Sequence, residues 1–276
     1  VSSSVLYPDA QKTAETSISP EMGRYFSRLS SFNKESRGFA ITRDEDDGIL
    51  KPEGHVLRLC WDVPPSDRKI VMSTAERCAY AFGGLLFRFD DTRMIGRHNM
   101  ENVAMALAAA GELGFDLSSA KEALVSYVPP PHRCALVLTA NGVAYIDDSK
   151  GTNIAACVTA LSSIAGKKII ILGGRRKGED FSRLAAPLKS FAKYAFLIGE
   201  ASDEIAEALS SHGYADFAKA SDMEEAVRRA CSMAIPGDVV LLSPACTSWD
   251  AYKNYGERGD HFTSLAKRIA GGCRDA

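Results

Sequence analysis

The sequence lacks an excess of charge of either sign. Lys and Arg together number 33, Asp and Glu number 35, and the net charge is −2. A nucleic-acid-binding protein is expected to carry a basic stripe, and none is evident in this sequence. The charge does not indicate a membrane surface as a partner either. We therefore expect a globular protein that binds neither nucleic acid nor membrane.

Paired cysteines and long apolar runs are also missing. The seven cysteines are scattered and never spaced as CxxC, which argues against a disulfide framework or a zinc site and favours a reducing compartment. No apolar run approaches the roughly 20 residues that a membrane span needs. The chain starts at Val1, without an initiator Met or a signal-peptide pattern. We therefore expect a cytoplasmic protein, and the missing Met suggests a fragment of a longer one.

Two glycine-rich nucleotide motifs are absent as well. The phosphate-loop pattern GxxxxGK[ST] occurs nowhere in the chain. A nucleotide enzyme with this sequence would therefore bind its phosphates elsewhere or be incomplete. The pattern GxGxxG does not follow the first predicted strand, which argues against a nicotinamide-dependent oxidoreductase.

Regular periodicity begins after the three prolines Pro129–Pro131. Apolar runs typical of buried strands alternate there with helical segments, which predicts right-handed crossovers and a mostly parallel sheet covered on both faces. Asn141-Gly142 predicts a tight hairpin near its start. We predict a Rossmann-like α/β domain over 130–276. The prolines cannot continue a helix and mark its boundary with a separate unit, 1–129.

Three polar segments each follow a predicted strand, namely Asp147–Asn153, Gly173–Asp180 and Ser243–Ser248. Ligands of such sheets bind outside the carboxyl ends of the strands, so the three segments should meet at one edge. The second has the composition of an anion cradle, with small residues beside Lys177. Taken singly, each segment has a simpler interpretation, such as a glycine turn, a solvated lysine, a serine helix cap or an Asx turn at Asp148. Their expected convergence is what indicates a site.

Five motifs occur in a fixed order along the chain. They are Gly96-Arg-His-Asn99, Pro131-His-Arg133, Asp148-Ser-Lys-Gly-Thr-Asn153, Gly173-Gly-Arg-Arg-Lys-Gly178, and Ser243-Pro-Ala-Cys-Thr-Ser248 with Lys253-Asn-Tyr-Gly-Glu-Arg-Gly259. Together they resemble the second half of Mur ligases, and the Asp-Ser-Lys-x-Thr-Asn run resembles the branch that adds D-glutamate. The resemblance covers about residues 74–276. It implies a cytoplasmic ligase of peptidoglycan precursor synthesis, with an incomplete α/β central ATPase domain over 1–129 that lacks the phosphate loop.

The resemblance also implies a reaction. ATP, with Mg²⁺, phosphorylates the carboxylate of UDP-N-acetylmuramoyl-L-alanine, the amine of D-glutamate attacks the acyl phosphate through a tetrahedral intermediate, and phosphate leaves. Such steps depend on positioning and on cations that offset developing negative charge. D-Glutamate brings two carboxylates, so its pocket should hold cationic and hydroxyl donors.

Single residues take their roles from the same resemblance. Those implied for D-glutamate are Lys150, Thr152, Lys177 and Ser248, with Tyr255 packing near the amino acid. Those implied for the nucleotide are Asn99 and Asn102 at the adenine, Arg133 and Asp148 as the pair that meets the nucleotide on domain closure, and His132, which is either structural or nucleotide-facing. No metal ligand is assigned.

The first unit offers one further candidate. Met22–Gly38 can be aligned with the family segment that ends in a carbamylated lysine, which makes Lys34 its counterpart; a surface helix lysine is the alternative. The sequence departs from the family at Arg175-Arg176, which is more basic than usual, and mildly at Gly151 and Tyr255.

Because the sequence lacks a phosphate loop, we expect the chain to be inactive or nearly so by itself. We also expect it to be a monomer. The alternative is a non-catalytic binding module, either truncated or decayed from a Mur ligase.

Overall fold

The computed structural model describes residues 3–7, 13–16, 39–43, 55–66 and 68–271. The chain divides into two compact units, the first Val1–Arg93 with Asn99–Val128 and the second Met94–His98 with Pro129–Ala276. Lys34 lies outside the described residues, and its assignment stays a prediction.

The first unit is built on a mixed sheet. Its strands are β1 (Ser3–Tyr7), β2 (Thr13–Thr16), β3 (Phe39–Arg43), β4 (His55–Trp61), β5 (Lys69–Ser73), β6 (Cys78–Ala81) and β7 (Gly84–Arg88). Within the described residues they pair in the order β2-β1-β3-β4-β5-β6-β7. β4 runs parallel to both of its neighbours, and the other pairs are antiparallel. Two helices follow, α1 (Arg97–Glu112) and α2 (Leu117–Ser126).

The second unit alternates strands and helices. Its strands are β8 (Ala135–Ala140), β9 (Val143–Asp147), β10 (Lys168–Gly173), β11 (Ala192–Ile198), β12 (Phe217–Lys219) and β13 (Val239–Leu242). Its helices are α3 (Ile154–Ser163), α4 (Ala185–Phe191), α5 (Ser202–Ser211), α6 (Met223–Met233) and α7 (Tyr255–Gly271). The six described strands lie in the order β12-β11-β10-β13-β9-β8. All neighbours pair in parallel except β8 with β9. The predicted α/β fold with a mostly parallel sheet is confirmed.

The hairpin at the edge of this sheet explains its one antiparallel pair. Asn141 and Gly142 connect β8 to β9 with φ angles of +50° and +75°. A turn of this kind needs positive φ at both central positions, and Asn-Gly is the pair that adopts it most readily. The hairpin predicted at this dipeptide is present.

Both faces of the second sheet are covered, as its sequence pattern requires. β10 is buried along its whole length. Ile170 and Leu172 point into one apolar cluster, whereas Ile169 and Ile171 point into the other. A strand buried on both faces has a continuous apolar run rather than an alternating one. In the described part of the chain, no helix combines the length and the apolar character that a membrane span requires.

Candidate functional site

Three loops leave the carboxyl edge of the parallel sheet side by side. They are the β9 loop (148–153), the β10 loop (174–180) and the β13 loop (243–254), together the loop cluster. Backbone hydrogen bonds of 2.9 Å join them, with donor and acceptor in the pairs Gly173–Pro244, Ala245–Gly151, Arg175–Thr247 and Thr247–Arg175. The structure thus brings the three polar segments of the sequence to one edge of the sheet.

Gly173 and Gly174 allow this contact because they have no side chains. Their φ angles are +118° and +130°, which glycine adopts far more readily than other residues. A Cβ at Gly173 would collide with the carbonyl oxygen of Ile198, and one at Gly174 with that of Thr247. The close approach of neighbouring backbone therefore requires both glycines, which the simple interpretation as a turn did not anticipate.

Asp148 is the first residue of the β9 loop, and its side chain is buried. It is 7% exposed, and its carboxylate accepts hydrogen bonds from Ser243 Oγ at 2.7 Å and from Cys134 N at 3.2 Å. Burial raises the pKa of Asp148 to about 6, although these hydrogen bonds act in the opposite direction. Gly151 leaves the necessary space, since a Cβ there would be 2.5 Å from Asp148 Oδ2. The carboxylate ties the β9 loop to the β13 loop, and its meeting with a nucleotide stays a prediction.

Four of the side chains assigned to D-glutamate contact one another in two pairs, and the fifth is buried. Lys177 Nζ donates to Thr152 Oγ1 at 3.5 Å, the long limit of a hydrogen bond, and so spans the β10 and β9 loops. Lys150 Nζ lies 4.1 Å from the centre of the Tyr255 ring in a cation–π contact. Ser248 is buried in the β13 loop. Two ammonium groups, of Lys150 and Lys177, and two hydroxyl groups, of Thr152 and Ser248, therefore belong to the loop cluster.

The two arginines ahead of Lys177 form ion pairs within the chain. Arg175 donates to both carboxylate oxygens of Glu200 at 2.9 and 3.0 Å, and Arg176 contacts Glu204 at 2.9 Å. The pairs attach the β10 loop to residues at and just before α5. The extra positive charge noted in the sequence is thus offset by carboxylates of the chain itself.

His132 is joined to Asp147 at the start of the β9 loop. His132 Nδ1 lies 2.7 Å from Asp147 Oδ2, and Asp147 Oδ1 accepts a hydrogen bond from Ser149 N at 2.9 Å. Gly259 makes room for the pair, because a Cβ there would be 2.6 Å from Asp147 Oδ2. This pairing favours the structural alternative for His132. Arg133, the next residue, is exposed.

The residues assigned to the nucleotide are divided between the units. Asn99 and Asn102 lie on α1 in the first unit, whereas Arg133 and Asp148 lie in the second. Asn102 is exposed and Asn99 half-buried. Their common role stays a prediction.

A metal site does not emerge from the described residues. Among them, no group of three or more His, Cys, Asp or Glu side chains could hold a metal ion. His98 Nδ1 instead lies 2.8 Å from Ser163 Oγ. The sequence assigned no metal ligand, and the described residues add none.

Arg258 received no role from the sequence, yet it holds the loop cluster together. It is 1% exposed. Nε donates to Ser149 Oγ at 3.0 Å, and Nη2 donates to Ser149 O at 2.9 Å and to Cys246 O at 3.1 Å. The sequence contains one indication that Arg258 is buried. It lies four and seven residues before Phe262 and Leu265 on α7, and this spacing places it on the core face of the helix.

Comparison with known proteins supports the resemblance. Residues 132–246 match the family model described as "Mur ligase, glutamate ligase domain". A UDP-N-acetylmuramoylalanine–D-glutamate ligase from Cupriavidus pinatubonensis is 40% identical over 231 residues, which are 81% of this chain and 46% of that protein. The enzyme of the same name from Burkholderia mallei is 42% identical over 181 residues, 66% of this chain and 36% of that protein. The chain thus spans less than half the length of these relatives.

Solved structures show the same fold. A pseudomurein peptide ligase type C from Methanothermus fervidus aligns with a TM-score of 0.55 at 16% identity, covering 83% of this chain and 56% of that one. A folylpolyglutamate synthase from Mycobacterium tuberculosis, complexed with ADP, aligns with a TM-score of 0.52 at 14% identity, covering 76% and 49%. Likeness at this level of identity concerns the fold alone.

The matched family model identifies the second unit, over residues 132–246, as a Mur ligase C-terminal domain, and its fold agrees with this. Within the family, the relatives at 40% and 42% identity are both named UDP-N-acetylmuramoylalanine–D-glutamate ligase. The resemblance inferred from the five motifs is confirmed.

Proposed function

We propose that the chain is part of an ATP-dependent ligase that adds D-glutamate to UDP-N-acetylmuramoyl-L-alanine in peptidoglycan precursor synthesis, and that it acts in the cytoplasm as a monomer. The second unit supplies the D-glutamate site. Relatives of this name at 40% and 42% identity support the choice of substrate.

The loop cluster is the observation that carries this proposal. Lys150 and Lys177 belong to two of its loops, and Thr152 contacts Lys177. D-Glutamate carries two carboxylates, and ammonium and hydroxyl donors are the groups that bind them. Tyr255 lies under the Lys150 ammonium, where it limits the positions that the lysine can take.

The loop cluster would act by positioning. When D-glutamate is held by its carboxylates, its amine is left free to attack an acyl phosphate, and fixed geometry of this kind contributes much of the rate in such reactions. The lysine ammonium groups also offset the negative charge that develops in the tetrahedral intermediate. ATP supplies the phosphoryl group that activates the carboxylate of UDP-N-acetylmuramoyl-L-alanine.

The first unit is proposed to be part of the central ATPase domain, over residues 1–129. Asn99 and Asn102 are its proposed adenine contacts, while Arg133 and Asp148, with His132 beside them, are the proposed contacts from the second domain, 130–276. The proposed reaction also uses Mg²⁺. Among the described residues, no cluster of three or more His, Cys, Asp or Glu side chains could bind this ion.

Binding of D-glutamate can be followed from inside the loop cluster. The sequence has two tryptophans. Trp249 is 64% exposed in the β13 loop, and Trp61 donates to Glu101 in the first unit. In a Trp61→Phe background, we expect a saturable change of Trp249 fluorescence with D-glutamate and a much weaker one with L-glutamate. Saturation-transfer NMR on the ligand gives a second readout.

Substitutions in the cluster should weaken this binding selectively. Lys150→Ala and Lys177→Ala each remove a charge-assisted contact, which corresponds to about a tenfold or larger rise in the dissociation constant. Arg176→Ala is the matched control, because Arg176 precedes Lys177 in the same loop but is paired with Glu204. The dissociation constant of this variant for D-glutamate should equal that of the wild type. If neither fluorescence nor NMR distinguishes D-glutamate from L-glutamate, the proposed site is wrong.

Turnover by the chain alone tests the other half of the proposal. With ATP, Mg²⁺ and both substrates, we expect phosphate release far below the ordinary enzyme range of about 1–10³ s⁻¹, because the sequence contains no GxxxxGK[ST] phosphate loop. Release that persists unchanged in Lys150→Ala would come from a contaminating ATPase. Turnover within the ordinary range that Lys150→Ala abolishes would refute the expectation.

A further inference from the structure

Arg258 is a buried cation whose acceptors carry no charge. Its three hydrogen bonds end on the hydroxyl and carbonyl oxygens of Ser149 and on the carbonyl oxygen of Cys246. Among the described residues Nη1 has no hydrogen-bond partner, and it would lie 3.1 Å from a Cβ placed on Gly174. Burial lowers the pKa of the guanidinium to about 10. The arginine stays charged at neutral pH in a place that does not favour charge.

Stability alone does not account for an arginine at this position. Taking a charge out of water costs free energy that hydrogen bonds to neutral groups recover only in part. Apolar side chains of similar volume often replace buried charged groups without loss of stability. The helix face on which Arg258 lies is otherwise apolar, with Phe262 and Leu265 buried one and two turns later. A methionine would suit that face.

The contacts of Arg258 show what the arginine provides instead. Its planar fork reaches two loops at once, and its donors are fixed in relative direction as those of a lysine are not. Ser149, held by two of the bonds, directly precedes Lys150. Cys246, held by the third, comes two residues before Ser248. Ser149 Oγ also donates to the carbonyl oxygen of Tyr255 at 2.7 Å, so the base of the Lys150–Tyr255 contact belongs to the same network.

We propose that Arg258 is the positioning residue of the acceptor pocket, fixing the β9 loop against the β13 loop so that Lys150 and Ser248 meet the acceptor in one geometry. This inference rests on the proposed D-glutamate site. Arg258 need not touch the acceptor, since it acts through Ser149 and Cys246.

Arg258→Met tests the proposal in the full chain with the Trp61→Phe background. We expect the D-glutamate dissociation constant, measured by Trp249 fluorescence, to rise at least tenfold. Hydrogen exchange should show lost protection in the β9 and β13 loops, with β10 and β11 still protected. Arg268→Met is the matched control on the same helix, because Arg268 is exposed and pairs with Glu224 at 2.8 Å. It should leave both measurements unchanged.

Arg258→Lys separates the effect of the positive charge from that of the guanidinium group, whose N–H donors have fixed relative directions. The ammonium retains the charge but cannot hold both loops in the same directions, so we expect affinity between that of the wild type and that of Arg258→Met. Equal affinity and equal loop protection in Arg258→Met and wild type would overturn the inference. Loss of protection in β10 and β11 of Arg258→Met would also overturn it, since Arg258 would then be an ordinary part of the core. If the wild type does not bind D-glutamate, the proposed function fails, and hydrogen exchange still decides whether Arg258 orders the loops.

Discussion

Replacing Gly173 with alanine is expected to unfold the second unit or to destabilise it by about 4 kcal/mol or more, among the largest effects of a single substitution. Gly173 ends β10 with φ at +118°, where an alanine is strained. Its Cβ would collide with the carbonyl oxygen of Ile198, which accepts a hydrogen bond from Gly174 N at 3.1 Å. The collision involves backbone on both sides, so no side-chain rotation relieves it. Urea unfolding followed by circular dichroism gives the free energy of unfolding.

Gly178→Ala is the control for the backbone angle alone. Gly178 lies in the same β10 loop and also has positive φ, +80°, but a Cβ there would meet no atom of the described residues within 4 Å. We expect a loss of only about 1 kcal/mol, the usual cost of placing an L-residue in the left-handed region. If Gly173→Ala and Gly178→Ala lower the free energy of unfolding equally, the close contact between Gly173 and the carbonyl oxygen of Ile198 does not make residue 173 more sensitive to substitution.

The second large effect is a pH dependence that Asp148→Asn should remove. Burial raises the pKa of Asp148 to about 6 in the folded chain, compared with about 3.9 for an unperturbed aspartate. Between pH 4 and pH 6 the folded state therefore binds the proton more tightly than the unfolded state does. This contribution to the free energy of unfolding is full below pH 4 and falls as pH rises to about 6. The shift of about two units corresponds to about 3 kcal/mol.

The measurement is the stability difference between the variant and the wild type as a function of pH. The asparagine of Asp148→Asn would not ionise. Its Oδ1 could still accept the hydrogen bond from Cys134 N, while its Nδ2 would donate to Ser243 Oγ, which can act as an acceptor. The variant should therefore gain about 3 kcal/mol on the wild type between pH 4 and pH 7.5. Asp180→Asn should change the stability difference in the opposite direction, because hydrogen bonds from Ser182 lower the pKa of Asp180. The wild type should therefore gain stability relative to Asp180→Asn as pH rises. A constant difference for Asp148→Asn would show that Asp148 titrates normally.

Such a pH dependence would mean that the ionised Asp148 costs stability at neutral pH. Proteins retain costly buried charges mainly where function needs them. Asp148 lies in the motif that resembles the D-glutamate branch, and it joins two loops of the proposed site. The predicted nucleotide role and the observed bond to Ser243 are compatible if the carboxylate sets the shape of the β9 loop.

Much of the second unit could be predicted from the sequence. The apolar run of β10 and the helices between strands predicted a mostly parallel sheet, because only a strand covered on both faces is apolar throughout. Asn141-Gly142 predicted the hairpin through the positive φ that its turn needs. The motif order predicted the family, which the relatives confirm.

The partners of the side chains could not be predicted in the same way. Arg175 and Arg176 stood out in the sequence as more basic than usual for the family, but Glu200 and Glu204, which follow β11, offset their charge. Ion pairs of this kind depend on distances between segments that are remote in sequence. Local periodicity contains no information about those distances.

In the second unit, the sequence by itself determined the alternation of strands and helices, the three polar segments that follow strands at one edge, and the resemblance to a family, since each of these follows from local patterns and their order. Only the tertiary structure decided that Gly173 is required by the carbonyl of Ile198, that Asp148 is buried against Ser243, and that Arg258 joins the β9 and β13 loops. The physical reason is the same in each case: the steric, desolvation and hydrogen-bond energies arise between residues that only the folded sheet brings together.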